Sequence, residues 1–136
     1  MDLVQRITER VRDYLPGLMD LRFVTITPEE VVATLNVRKA LCNTADVLHG
    51  GALMAFADTL GGIGAWVNLP DDSARTTTIE SKTNFTAPAP LGATVTGCCR
   101  RVHQGRTLSV WQTEVTDEQG VLVGMVTQTM MVLNGK

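Results

Sequence analysis

The sequence lacks the features that would announce a charged partner or a special compartment. It has no basic excess: 12 Lys and Arg stand against 14 Asp and Glu, a net charge of −2. That balance removes the general electrostatic argument for nucleic acid or an anionic membrane surface. No apolar run reaches bilayer-spanning length without interruption by Asp58 or polar residues, so no transmembrane helix is expected. The start, Met1-Asp2-Leu3-Val4-Gln5-Arg6, lacks a basic segment followed by an apolar block, so a secretory signal is not expected and the cytoplasm is the expected compartment. Cysteine is scarce and odd in number, three in all, with Cys98 and Cys99 adjacent in an expected strand where their side chains would point to opposite faces. No CxxC or Cys/His spacing suits zinc, so no metal is expected. Cys42 has nothing local to activate it, and all three cysteines read as small apolar fillers. Repeats, linkers and low-complexity segments are absent too. With 44% hydrophobic and 19% charged residues, the 136 residues suit one soluble-type domain, 1–136.

What is present is concentrated in residues 43–67. A polar loop from Asn43 leads through His49-Gly50-Gly51 into an apolar run of about four helical turns. Between His49 and Asp71 the one charged residue is Asp58, whose neighbours three and four positions away are Met54, Ala55, Gly61 and Gly62. A surface helix would surround such a carboxylate with polar side chains. Gly61, Gly62 and Gly64 each cost the helix roughly 1 kcal/mol relative to alanine. A helix so apolar and so rich in glycine must be held by packing, so it is expected to be buried. An ionised carboxylate there is expensive unless paired or hydrogen-bonded, which marks Asp58 as a candidate functional group.

Gly50 and Gly51 at the helix start would leave backbone N–H groups bare at the positive end of the dipole, a site for a carbonyl oxygen gaining negative charge. Gly50 and Asp58 lie about 12 Å apart along a helix, too far to serve one reacting centre. Two antiparallel copies, each offering its helix N-terminus to the other's carboxylate, solve this. The expected assembly is therefore a symmetric dimer with two interfacial sites.

Around this helix the pattern predicts a leading helix over 2–14, ended by Leu15-Pro16-Gly17 and serving as a cover. Strands are predicted over 21–27, 31–37, 75–85, 94–102, 107–116 and 121–133, the last three joined by short turns at 103–106 and 117–120 that imply antiparallel neighbours. The class is α+β, with about six antiparallel strands wrapped around one long helix.

These residues carry a resemblance. Asn43, Leu48-His49-Gly50-Gly51, Asp58, and Asn84-Phe85-Thr86-Ala87-Pro88-Ala89 before Leu91-Gly92 resemble the hotdog-fold acyl-CoA thioesterases, in particular the phenylacetate-degradation, PaaI-like branch. The likeness spans about 31–133 and implies a hotdog fold and hydrolysis of a small aromatic or medium-chain acyl-CoA. Coenzyme A is then part of the substrate and no separate cofactor is implied. It further implies Asp58 as general base or nucleophile, Gly50 N–H as the donor that polarises the thioester carbonyl, and Asn43 and His49 as residues that shape the loop near that carbonyl from the opposite subunit. Thr78 falls where relatives place a Ser or Thr that positions water. Gly51, Phe56 and Arg106 fall to substrate binding, with Arg106 in the HQGRT turn set to meet a coenzyme A phosphate and Leu60 and Trp66 near the pocket. Homodimers pairing into a homotetramer are expected. A sister branch commonly carries Glu at the position of Asp58, so the shorter carboxylate favours the PaaI-like branch. Two other functions use the same groove: a hotdog enoyl-CoA hydratase, for which no Asp-x-Asn-Pro-x-x-His motif is present, and an acyl-CoA binding module without catalysis.

Overall fold

The first helix is set by its cap. Asp2 accepts from the Gln5 N–H at 2.8 Å while its own N–H donates to Gln5 Oε1 at 3.1 Å, a reciprocal box that opens α1 (Leu3–Val11). The computed structural model describes residues 1–134; the last two residues of the expected 1–136 domain lie outside the described residues. Helix α1 ends three residues before the predicted limit. The Leu15-Pro16-Gly17 break is itself helical, within the single turn α2 (Leu15–Leu18). Proline is tolerated in a first helical turn because its missing N–H would have no partner there.

Six strands follow: β1 (Arg22–Ile26), β2 (Glu30–Asn36), β3 (Arg75–Phe85), β4 (Thr94–Gln104), β5 (Leu108–Thr116) and β6 (Leu122–Leu133). They form one antiparallel sheet in the order β1-β2-β4-β5-β6-β3, which leaves β1 and β3 at its edges. Five of the predicted strands shift by one or two residues at their ends, and β3 matches its prediction. His103 and Gln104, predicted in a turn, extend β4, because a register shift between Arg101 and His103 carries the pairing on to Gln104 opposite Ser109.

Helix α3 (Gly50–Val67) enters between β2 and β3 and packs across the sheet. Alternate residues of the strands point at it: Val31, Ala33 and Leu35 from β2, Val95 and Cys99 from β4, Trp111 and Val115 from β5, Val126 from β6. From the helix, Leu53, Phe56 and Leu60 fill the core, each stabilising by about 1.5–3 kcal/mol. These residues outweigh the helix's glycine cost, and two of the glycines are explained by the same packing. A Cβ on Gly64 would lie 2.7 Å from the Trp111 ring, and one on Gly61 would collide with the Gln128 amide. The core side of α3 therefore faces the sheet closely. Its other side carries Asp58, Gly62 and Trp66, and α1 lies along part of it.

Candidate active site

Asp58 is exposed in the protomer, not buried as the apolar character of its helix predicts. The reason is its angular position. Phe56, Ala57 and Leu60 turn toward the sheet, and Asp58 falls on the opposite side of the same helix. Its carboxylate is nevertheless held. Oδ1 accepts from the Thr78 hydroxyl at 2.8 Å and from the Gln128 side-chain amide at 3.1 Å. Oδ2 accepts from no protein group among the described residues, and no Lys or Arg there forms an ion pair with Asp58. One oxygen is thus anchored by neutral donors while the other is free to act.

Both donors come from the sheet. Thr78 sits on edge strand β3 just before Ile79, where the pairing with β6 shifts register between Thr78 and Glu80. Such a bulge re-aims neighbouring side chains. Gln128 lies in β6 and is buried, 1% exposed, with its Oε1 unpartnered among the described residues. Gly61 makes room for it. Gln128 was missing from the sequence-based site, although a signal existed. In Val126-Thr127-Gln128-Thr129-Met130 the strand alternation places a polar Gln128 on the inward face between Val126 and Met130.

At the other end of α3, His49 is the N-cap. Its Nδ1 accepts from Gly51 N–H at 2.8 Å, which fixes the neutral tautomer with hydrogen on Nε2. This bond uses up the Gly51 amide, so Gly51, expected to bind substrate, has no free N–H to offer. The Gly50 N–H donates to no acceptor among the described residues. The Phe85 ring stands over Gly50, 3.1 Å from where a Cβ would be, and walls a cleft of about 440 Å³ with Leu48, Leu53 and Pro88. Phe85 was also missed as a site residue. Asn43 makes a local turn by accepting from Ala45 N–H at 2.9 Å. It shares a second cleft, about 650 Å³, with His49 and Cys42.

The two ends do not converge within one protomer, because Gly50 and Asp58 are separated along the single helix α3. Phe56, expected to touch substrate, is 0% exposed and fills the space above Gly97, so it lines no cleft. Two residues from Asp58, it faces the other way. Arg106 lies exposed on the turn between β4 and β5, away from the clefts of Asp58 and Gly50. Helix α1, expected to be a cover alone, supplies Ile7 and Val11 to a cleft of about 360 Å³ that begins at Asp58. Among the described residues no three His, Cys, Asp or Glu side chains gather to hold a metal ion, and no helix is long and apolar enough to cross a membrane.

The profile of the family described as "Thioesterase superfamily" matches residues 45–124, more than half of the chain and the whole of α3. The chain belongs to the thioesterase superfamily. The 1,4-dihydroxy-2-naphthoyl-CoA hydrolase of Escherichia coli is 30% identical to this thioesterase over 106 residues, which cover 78% of this chain and 76% of that one. A mutant thioesterase of Pseudomonas aeruginosa superimposes with a TM-score of 0.92 at 22% identity, covering 98% of this chain and 96% of that one. The E. coli PaaI protein from the phenylacetic acid degradation operon superimposes with a TM-score of 0.84 at 18% identity, covering 98% and 95%. The last two show the fold alone, which is the hotdog fold. The thioesterase is a thioester hydrolase.

Proposed function

We propose that this thioesterase hydrolyses acyl-CoA carrying a small aromatic or medium-chain acyl group, at sites shared between two protomers. The observation that carries the proposal is the pair of functional ends on one helix: a carboxylate with one anchored and one free oxygen, and a bare Gly50 N–H at the positive helix terminus. Asp58 Oδ2 takes a proton from water as the water oxygen bonds to the thioester carbon. The carbonyl oxygen becomes an oxyanion and accepts from Gly50 N–H and the helix dipole of the facing copy. Collapse breaks the carbon–sulfur bond, and the proton passes from Asp58 to the departing thiolate. Direct attack by Oδ2 would form an anhydride instead; a single turnover in ¹⁸O-water leaves label in Asp58 only by that route.

The open edge of β3 supports the dimer, since it carries exposed Ile79 and Phe85 and, among the described residues, is unpaired on the side away from β6. In that dimer Asn43 and His49 shape the thioester end of the site, and Arg106 meets a phosphate of coenzyme A with a charge-assisted bond. Dimers pair further into a homotetramer. The E. coli relative, a 1,4-dihydroxy-2-naphthoyl-CoA hydrolase, agrees with the substrate class.

Hybrid dimers test the shared site. Gly50→Pro deletes the one N–H in question at a first helical position, where proline is tolerated, and His49 already has the extended backbone that proline requires of its predecessor. Alone it should lower kcat by about 10²–10³, and Asp58→Asn by about 10²–10⁴. Co-refolded together, hybrids hold one intact site and recover roughly a quarter of wild-type activity, half of the dimers being hybrid with one live site of two. No recovery means that both groups act within one protomer.

A further inference from the structure

Gly62 is the one glycine of α3 with no packing reason. Gly61 yields to Gln128 and Gly64 to Trp111, whereas a Cβ on Gly62 would have no atom of the described residues within 4 Å. A helix-interior glycine is destabilising relative to alanine, and nothing in the protomer offsets that cost. Asp58, Gly62 and Trp66 follow one another at four-residue steps, so they lie in a line on one face of α3, with Trp66 about 12 Å from Asp58. Across from this line, α1 contributes Ile7 and Val11, and the cleft between them, about 360 Å³, starts at the catalytic carboxylate. The Arg10 guanidinium stands 5.8 Å from the centre of the Trp66 ring, at the far end. This Trp66 is 37% exposed, so part of its ring remains open to the cleft.

We propose that Gly62 is a specificity-determining residue that keeps open an acyl cleft running along α3 from Asp58 to Trp66, sized for a flat one- or two-ring acyl group. The proposal rests on the thioesterase site centred on Asp58 and adds where the acyl group lies and what admits it. An acetyl group would leave most of the cleft empty. An aryl group joined to the carbonyl lies over Gly62, where any side chain would take its place, and presents its edge to Trp66 and Arg10, whose aromatic and cationic surfaces favour a π-system.

The test measures kcat/KM for benzoyl-, naphthoyl- and acetyl-CoA in wild type, Gly62→Ala and Gly62→Leu, with melting temperature and solution mass recorded for each. The expected result is a melting temperature for Gly62→Ala at or above wild type. The aryl-to-acetyl ratio of kcat/KM should fall at least tenfold in Gly62→Ala and a hundredfold in Gly62→Leu, with mass unchanged. Trp66→Ala should lower the same ratio about tenfold. A ratio that stays constant overturns the proposal, whether all substrates fall together or none does. So does a halved mass with parallel loss, which would mean that a second protomer fills the space. Asp58→Asn on the same substrates separates the two readings. If it stays active, the site itself is wrong; if it is dead while Gly62→Leu leaves the ratio unmoved, only the cleft is wrong.

Discussion

At the scale of single residues, the unequal treatment of the two Asp58 oxygens is the feature with chemical consequence. Thr78 and Gln128 both donate to Oδ1, and a carboxylate held on one oxygen presents the other in a defined direction. Exposure alone would leave the side chain free to rotate, and misplacing a base by about 1 Å costs up to about a hundredfold in rate. Gln128→Met keeps the length and volume of the side chain and removes the amide. It should lower kcat about 10- to 100-fold with KM little changed. Thr78→Val should behave alike, while Thr78→Ser retains the hydroxyl and restores most of kcat. Steady-state kinetics decide; an unchanged kcat in Gln128→Met would reduce its amide to a structural filler. His49 belongs at this scale too. Its ring caps α3, so His49→Ala should cost about 1 kcal/mol in urea unfolding, the usual range for a lost cap.

At the scale of elements, α3 reconciles two demands that oppose one another. Its sheet side must come close enough for Trp111 and Gln128 to fit against bare backbone, and its outer side, on the proposal above, must stay open beside a carboxylate. Glycine serves both, for different reasons. Gly64→Ala therefore should destabilise by about 1–3 kcal/mol through overpacking against Trp111, in spite of alanine's better helix propensity. Thermal or chemical unfolding measures it, and a more stable variant would show that the ring can move aside. Strand β3 makes a similar compromise. Its register shift beyond Thr78 weakens the ladder locally and turns a hydroxyl toward the helix.

At the scale of the molecule, the sheet encloses enough apolar volume to perturb a thiol. Burial pushes the Cys99 thiol up from its ordinary 9.0 to about 12. Burial raises Cys98 as well, helped by its hydrogen bond to Glu30. The sign follows from linkage. Above pH 9 the unfolded chain releases the Cys99 proton and the folded chain keeps it, so this contribution is intact below pH 9 and is lost as pH rises toward about 12. The difference in unfolding free energy between wild type and Cys99→Ala should shrink by up to about 1.4 kcal/mol per pH unit in that window. Urea titrations at pH 8 and 10 test this, and a pH-independent difference would contradict it.

Much of this molecule was legible one-dimensionally. Alternation and turn residues marked six strands, the isolated Asp58 and the His49-Gly50-Gly51 start marked the candidate site, and Thr78 joined it by likeness to relatives; these are local patterns, and local preference is what a linear chain records. Which way a helical residue faces is decided by what packs against the helix. Only tertiary packing could turn Phe56 inward and Asp58 outward, bring Gln128 from a strand seventy positions away to the carboxylate, spend the Gly51 amide on His49, and leave Gly62 alone among the helix glycines facing open space. Each of those outcomes depends on the shape of a surface contributed by distant segments, and that surface does not exist until the sheet closes over the helix.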